Sequence, residues 1–154
     1  MFWYVTTLIR TMETLLDRLR SRGMRITPQR RAIAEVLVGE HVHLTAEDVL
    51  AQARVGLPEL SQATVYATLT ELVALGEVQE IATGDGRRRF DPNVGHAHHH
   101  LVCTACGAIR DVAPVGLDAI EVPEDDLGGY TLTRADITFR GLCPDCTAKA
   151  AATV

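Results

Sequence analysis

Apolar residues recur at helical spacing through the first half of the chain and give way to short alternating runs in the second. Met12, Leu15, Leu16 and Leu19 make one stripe, which predicts a helix over residues 11–22 stopped by Gly23. Thr27 before Pro28 has the form of an N-cap with proline at the first helical position, and Ile33, Val36 and Leu37 carry a second helix to Gly39. Thr45 with Asp48 three residues on predicts a capping box and a third helix, striped by Val49, Leu50 and Ala53 and ending near Gly56 and Pro58. Ser61 caps a longer helix over 61–75, in which Val65, Leu69, Leu72 and Val73 face inward and Gly76 supplies the stop. Its outward face carries Gln62, Ala63, Tyr66, Ala67 and Thr70, side chains that are mostly small or hydrogen-bonding and uncharged, a surface able to enter a DNA major groove without clash.

Beyond Gly76 the period changes. Residues 77–82 and 87–91 flank Thr83-Gly84-Asp85-Gly86, the pattern of a hairpin around a glycine-rich turn. Helices followed by a hairpin with basic arms read as a winged helix, its arginines set to meet phosphates. Residues 91–95 are turn-rich, and further strands are expected over 98–103, 108–112, 130–133 and 136–142, with at most a short helix at 115–120. So small a sheet is marginal alone, and pairing with a second copy covers its edge. The expected architecture is α+β. Residues 1–11 are an arm or an upstream start, 12–91 a winged-helix DNA-binding domain, 92–96 a hinge, and 97–154 a small α/β dimerisation and metal-binding domain.

Composition agrees with a globular chain: 154 residues, 47% apolar. Charge adds an asymmetry. Seven arginines against Glu13 and Asp17 give residues 1–31 a charge of +5, whereas four basic against nine acidic residues give residues 91–154 a charge of −5. A front end that meets a polyanion fits this distribution. The apolar opening, Met1 to Ile9, is brief and lacks the basic start and cleavage site of a secretory signal, so a cytoplasmic protein with reduced thiols is expected, and no membrane span.

The chemistry concentrates between Gly95 and Cys106. Cys103-Thr104-Ala105-Cys106 and Cys143-Pro144-Asp145-Cys146 are paired CxxC motifs, the spacing of a closed thiolate cage for a structural Zn²⁺. Just upstream, an extended segment would turn His96, His98 and His100 to one face and His99 to the other. No nucleophile or general base is evident for an enzyme, and a metallohydrolase is disfavoured because protein ligands fill both metal sites. A metal-storage protein would need neither Tyr66 on a capped helix nor a wing.

The motifs Arg25-Ile26-Thr27-Pro28-Gln29-Arg30, Ser61-Gln62-Ala63-Thr64-Val65-Tyr66, Arg89-Phe90-Asp91, His98 to Gly107 and Cys143 to Cys146 together resemble the Fur family of metal-dependent bacterial repressors, over residues 12–148. The resemblance implies a winged helix and a dimerisation domain, a palindromic double-stranded operator, Zn²⁺ on the four cysteines, and a regulatory Fe²⁺ or Mn²⁺ at the hinge. It places Arg25 and Tyr66 at the DNA, Tyr66 as the base-contacting tyrosine, and Gln62, Thr64, Arg87 and Arg88 complete the expected DNA contacts. It assigns the regulatory metal to His43, Asp91, His98, His100 and Asp111, with His96 the alternative to Asp91. Three nitrogens and two oxygens suit Fe²⁺ or Mn²⁺, though zinc would bind as well. Aspartate at both acid positions is closer to the peroxide-sensing branch, in which peroxide oxidises a ligand histidine, here His43 or His98. Regulation of iron, zinc or nickel uptake is the alternative within the family. Ala67 replaces a residue that relatives use beside the tyrosine, and Ala135 removes a histidine that many members use for an additional site. His41 and His99 are read as ordinary polar residues.

Overall fold

The structure, a computed structural model, describes residues 13–39, 41–84, 86–95, 98–116, 120–133, 135 and 137–152. Four helices open the chain: α1 (Leu15–Ser21), α2 (Pro28–Val36), α3 (Ala46–Ala53) and α4 (Gln62–Ala74). Each begins at a hydroxyl side chain that accepts a backbone N–H three residues on: Thr14 from Asp17, Thr27 from Arg30, Thr45 from Asp48 and Ser61 from Thr64. The start signals read at Thr27, Thr45 and Ser61 are the starts that form, whereas α1, expected from residue 11, starts at Leu15 behind a Thr14 cap that was not read. The stripes meet in one core in which Leu19, Ile33, Val49, Val65, Leu69 and Leu72 are fully buried.

A first sheet closes this helical half. Its order is β1-β3-β2, with β1 (Leu44–Thr45), β2 (Gln79–Ala82) and β3 (Arg88–Asp91), all antiparallel. The β2–β3 hairpin is the expected wing. Two-residue β1 was not expected, and it pairs Leu44 with Phe90 and Thr45 with Arg89.

The rear sheet has order β5-β4-β6, from β4 (His99–Cys103), β5 (Ile109–Val112) and β6 (Thr138–Gly141). β4 and β5 are antiparallel neighbours, whereas β6 returns parallel to β4 and sets Cys103 opposite Gly141. The connection includes the short helix α5 (Glu124–Leu127), and the chain continues into α6 (Pro144–Ala151). Two expectations fail here. Residues 130–133 form no strand, and Tyr130 and Leu132 are exposed: their alternation finds no neighbouring strand, and β-propensity expresses a fit to a sheet surface. Of the short helix expected at 115–120, residues 117–119 lie outside the described residues; the helix that forms comes later, after Pro123. Among the described residues, no helix is long and apolar enough to cross a membrane.

Candidate metal centre

Register explains how distant residues meet. In the rear sheet His100 lies directly opposite Asp111, and His98, two positions earlier, shares its face. In the first sheet Asp91 ends β3, and His43 immediately precedes β1, so continuing the β1–β3 register carries His43 toward Asp91. The loop is fixed on both sides. Arg89 donates from Nη1 to the His43 carbonyl at 3.2 Å, and the Thr45–Asp48 capping box anchors the next residues.

The result is a cluster in which one ligand atom each from His43, Asp91, His98, His100 and Asp111 lies within 4.8 Å of every other. Their side chains are 5%, 1%, 12%, 4% and 8% exposed. Asp91 Oδ2 faces His98 Nε2 at 2.7 Å, His100 Nε2 at 3.1 Å and His43 Nε2 at 3.6 Å. Its other oxygen accepts the Asn93 amide at 2.8 Å. Burial pushes the Asp91 carboxyl up, but hydrogen bonds from His100, the Asn93 backbone amide and His98, with the His43 imidazole close by, outweigh it and hold the group well below the usual carboxylate range.

His43 Nε2 and Asp111 Oδ1 decide how the cluster is read. They are 2.7 Å apart, yet both are buried polar atoms without a hydrogen bond, because their approach is out of line. Orphaned buried polar atoms cost on the order of 1–3 kcal/mol each, and here the two share a centre with three more donor atoms. A cation at that centre satisfies them. Ligand bonds of about 2.0–2.2 Å place opposite donors roughly 4.4 Å apart, close to the observed spread, so the residues present fit a metal ion.

Among the expected residues, His96 lies outside the described residues, so its part is not defined. His41, expected to be an ordinary polar residue, instead brings Nδ1 to 2.7 Å from Asp111 Oδ2. Only its place two residues before His43 hinted at this. His99 turns to the other side of β4, where its Nδ1 accepts the Ile137 amide at 3.2 Å.

The four cysteines form a second cluster, brought together by the parallel β4–β6 pairing. Cys106 Sγ and Cys143 Sγ are 3.8 Å apart, the edge length of a tetrahedron with bonds of about 2.3 Å, the zinc–thiolate distance. The Cys143 amide donates to Cys103 Sγ at 3.3 Å. That bond, with those of the Cys106 and Ala105 amides, lowers the Cys103 thiol to about 6, whereas hydrogen bonding with Cys143 and Cys106 and the crowd of sulfurs pushes Cys146 up to about 12. Thiols pulled apart in this way are what a divalent cation would level, since it favours thiolate at all four.

On the outer side of α4, Gln62, Ala63, Tyr66, Ala67 and Thr70 are exposed, as expected, and Thr64 is half-buried. Tyr66, Thr70, Arg87, Arg88 and Glu47 line a cleft of about 260 Å³ between helix and wing. Arg25 is exposed ahead of α2 and is not among the residues lining that cleft. Sequence reasoning missed Glu47, whose carboxylate accepts the Tyr66 hydroxyl at 2.7 Å and fixes its direction.

A model of the ferric uptake regulator family matches residues 21–139. The chain belongs to that family. It is 35% identical to the peroxide-responsive repressor PerR of Staphylococcus saprophyticus over 93% of this chain and 96% of that one. It is 36% identical to the transcriptional regulator FurA of Mycobacterium tuberculosis, over 84% and 88% of the two chains. Among solved structures, the Vibrio cholerae ferric uptake regulator superposes with a TM-score of 0.65 at 27% identity, covering 82% of this chain and 97% of that one. As a Fur-family protein the chain is a metal-responsive regulator, and members of this family are dimeric DNA-binding proteins.

Proposed function

We propose that this chain is a cytoplasmic, homodimeric repressor that binds a palindromic DNA operator when His43, Asp91, His98, His100 and Asp111 hold Fe²⁺ or Mn²⁺, and that peroxide releases it. Residues 12–91 act as the winged-helix reading module, 92–96 as the hinge and 97–154 as the dimerisation module, stapled by Zn²⁺ on Cys103, Cys106, Cys143 and Cys146. One observation carries the reading. His43 and Asp91 come from the helical half, and His98, His100 and Asp111 from the rear half, His98 just ahead of β4, so the donor set is complete only when the two halves are closed on each other. A cation that binds only the closed arrangement shifts the population toward it by its differential affinity. Closure fixes the spacing of two α4 helices in a dimer, which is what a palindrome reads. Gln62, Thr64 and Tyr66 then meet base edges, while Arg25, Arg87 and Arg88 meet phosphates.

Aspartate at both acid positions and the peroxide-responsive relative support the signal. Fe²⁺ in the site would supply the electron transfer by which one peroxide oxygen adds to an imidazole carbon and the other leaves as water. His43 or His98, once oxidised, no longer donates as before, and the closure weakens. The alternative is that the site reports the level of iron, zinc or nickel for uptake control; the solved zinc-bound manganese uptake regulator, at 25% identity and a TM-score of 0.65, supports metal-uptake control as a class. Mass spectrometry of Fe²⁺-loaded protein after peroxide separates the two. An added oxygen on the peptides holding His43 or His98, with loss of operator binding, is the expected result. Fe²⁺-dependent operator binding that survives peroxide with both histidines intact would replace the peroxide reading by the uptake one.

A further inference from the structure

His41 stands outside the five-donor cluster, and nothing in the proposed mechanism uses it. Its backbone has φ 59°, the left-handed region, and among the described residues it is the one non-glycine with positive φ. L-residues enter that region at a steric cost, and such conformations persist where the surroundings impose them. In this conformation the His41 side chain reaches Asp111. His41 Nδ1 lies 2.7 Å from Asp111 Oδ2 although the imidazole is 68% exposed. An exposed pair of this kind adds little to fold stability, so its effect falls on where the carboxylate points.

The two aspartates are held alike. Asp91 gives one oxygen to the Asn93 amide and turns the other to the imidazoles. Among the described residues no backbone donor reaches the Asp111 carboxylate; its Oδ2 meets His41, and its Oδ1 faces His43 Nε2 at 2.7 Å as an orphaned atom. A carboxylate's terminal torsion is broad and nearly two-fold. Without a partner on one oxygen, Asp111 would be free to offer the centre either oxygen, both or neither.

We infer that His41 is a positioning residue for the metal site: its Nδ1–H holds Asp111 Oδ2 so that Oδ1 alone is presented to the cation, the imidazole itself staying outside the donor set. The inference rests on the five-donor reading above. Partners that orient a ligating side chain change metal affinity about 10–100-fold when lost. The loop position also ties the segment that carries His43 to β5, so the same bond places two donors.

The test uses full-length zinc-containing protein, with Mn²⁺ affinity and the visible absorption of Co²⁺ bound at the regulatory site as readouts. His41→Gly removes the donor and keeps the left-handed backbone at no steric cost; it is expected to weaken Mn²⁺ about tenfold and to change the Co²⁺ band. His41→Asn, which tolerates the same φ and keeps an N–H donor, is expected to restore both. A His41→Gly protein with wild-type affinity and spectrum overturns the inference, as does an asparagine variant no better than glycine. Asp111→Ala is the control. If it too binds Mn²⁺ as wild type does, the five-donor reading itself fails, and if it alone weakens binding, only the role of His41 does.

Discussion

Arg18 sits on α1, and it ties three segments together. Its Nε meets Glu77 Oε2 at 2.6 Å, and its Nη2 donates to the Glu77 and Pro92 carbonyls, each at 3.0 Å. Glu77 is only 3% exposed and also pairs with Arg22. The turn after α4 and the start of the connector at Pro92 are thus pinned to the first helix. Arg18→Ala leaves the buried carboxylate with one exposed arginine and is expected to cost roughly 1.5–3 kcal/mol, read as a lowered urea midpoint. A change below the error of that midpoint would show that Arg22 alone suffices. At this scale sequence reading succeeds where a side chain's role is local, as with Tyr66 on the exposed face of a capped helix. It misses Glu47 and His41, whose partners lie 19 and 70 positions away.

Among the elements, β1 and α3 matter most to the site, because His43 immediately precedes β1, which runs straight into α3. The capping box at their junction is reciprocal: Thr45 donates its amide and hydroxyl to Asp48 Oδ2 at 3.0 and 2.7 Å, and accepts the Asp48 amide at 3.1 Å. The Thr45 hydroxyl and amide hold the Asp48 carboxyl below its ordinary value, against partial desolvation. A carboxyl depressed in this way contributes stability that is fully present above the unfolded pKa of about 3.9 and lost as the pH falls through the lower folded value. Asp48→Asn mimics the protonated group, so metal-free wild type is expected to exceed it in urea midpoint at pH 6. The two should converge as the pH is lowered below about 4. A gap that stays constant with pH would remove the charge from the explanation. The box was legible from four consecutive residues. Strand β1 was not, since two residues carry no period, and its pairing with β3 exists only once the wing has folded back.

For the whole molecule, the rear sheet leaves apolar surface uncovered. Leu101 and Phe139 are register partners on β4 and β6, exposed by 38% and 40%, while Val102 beside them is fully buried. A second copy of the chain is the partner proposed for that face. Leu101→Asp is expected to give monomers with the cysteine cage still loaded, measured by sedimentation and zinc content. A dimer of unchanged stability would move the interface elsewhere. The sequence by itself determined the four helices of the first half, the caps of α2, α3 and α4, the wing and the CxxC motifs, because these depend on neighbours within a turn or two of chain, whereas α5 and α6 were not read. It also pointed to five metal donors, His98 and His100 through strand spacing and His43, Asp91 and Asp111 through a resemblance. Only the tertiary structure decided that β6 runs parallel to β4, that residues 130–133 form no strand, and that His41 reaches Asp111. Each of these turns on which distant segments become neighbours when the chain closes, and no local pattern of side chains encodes that.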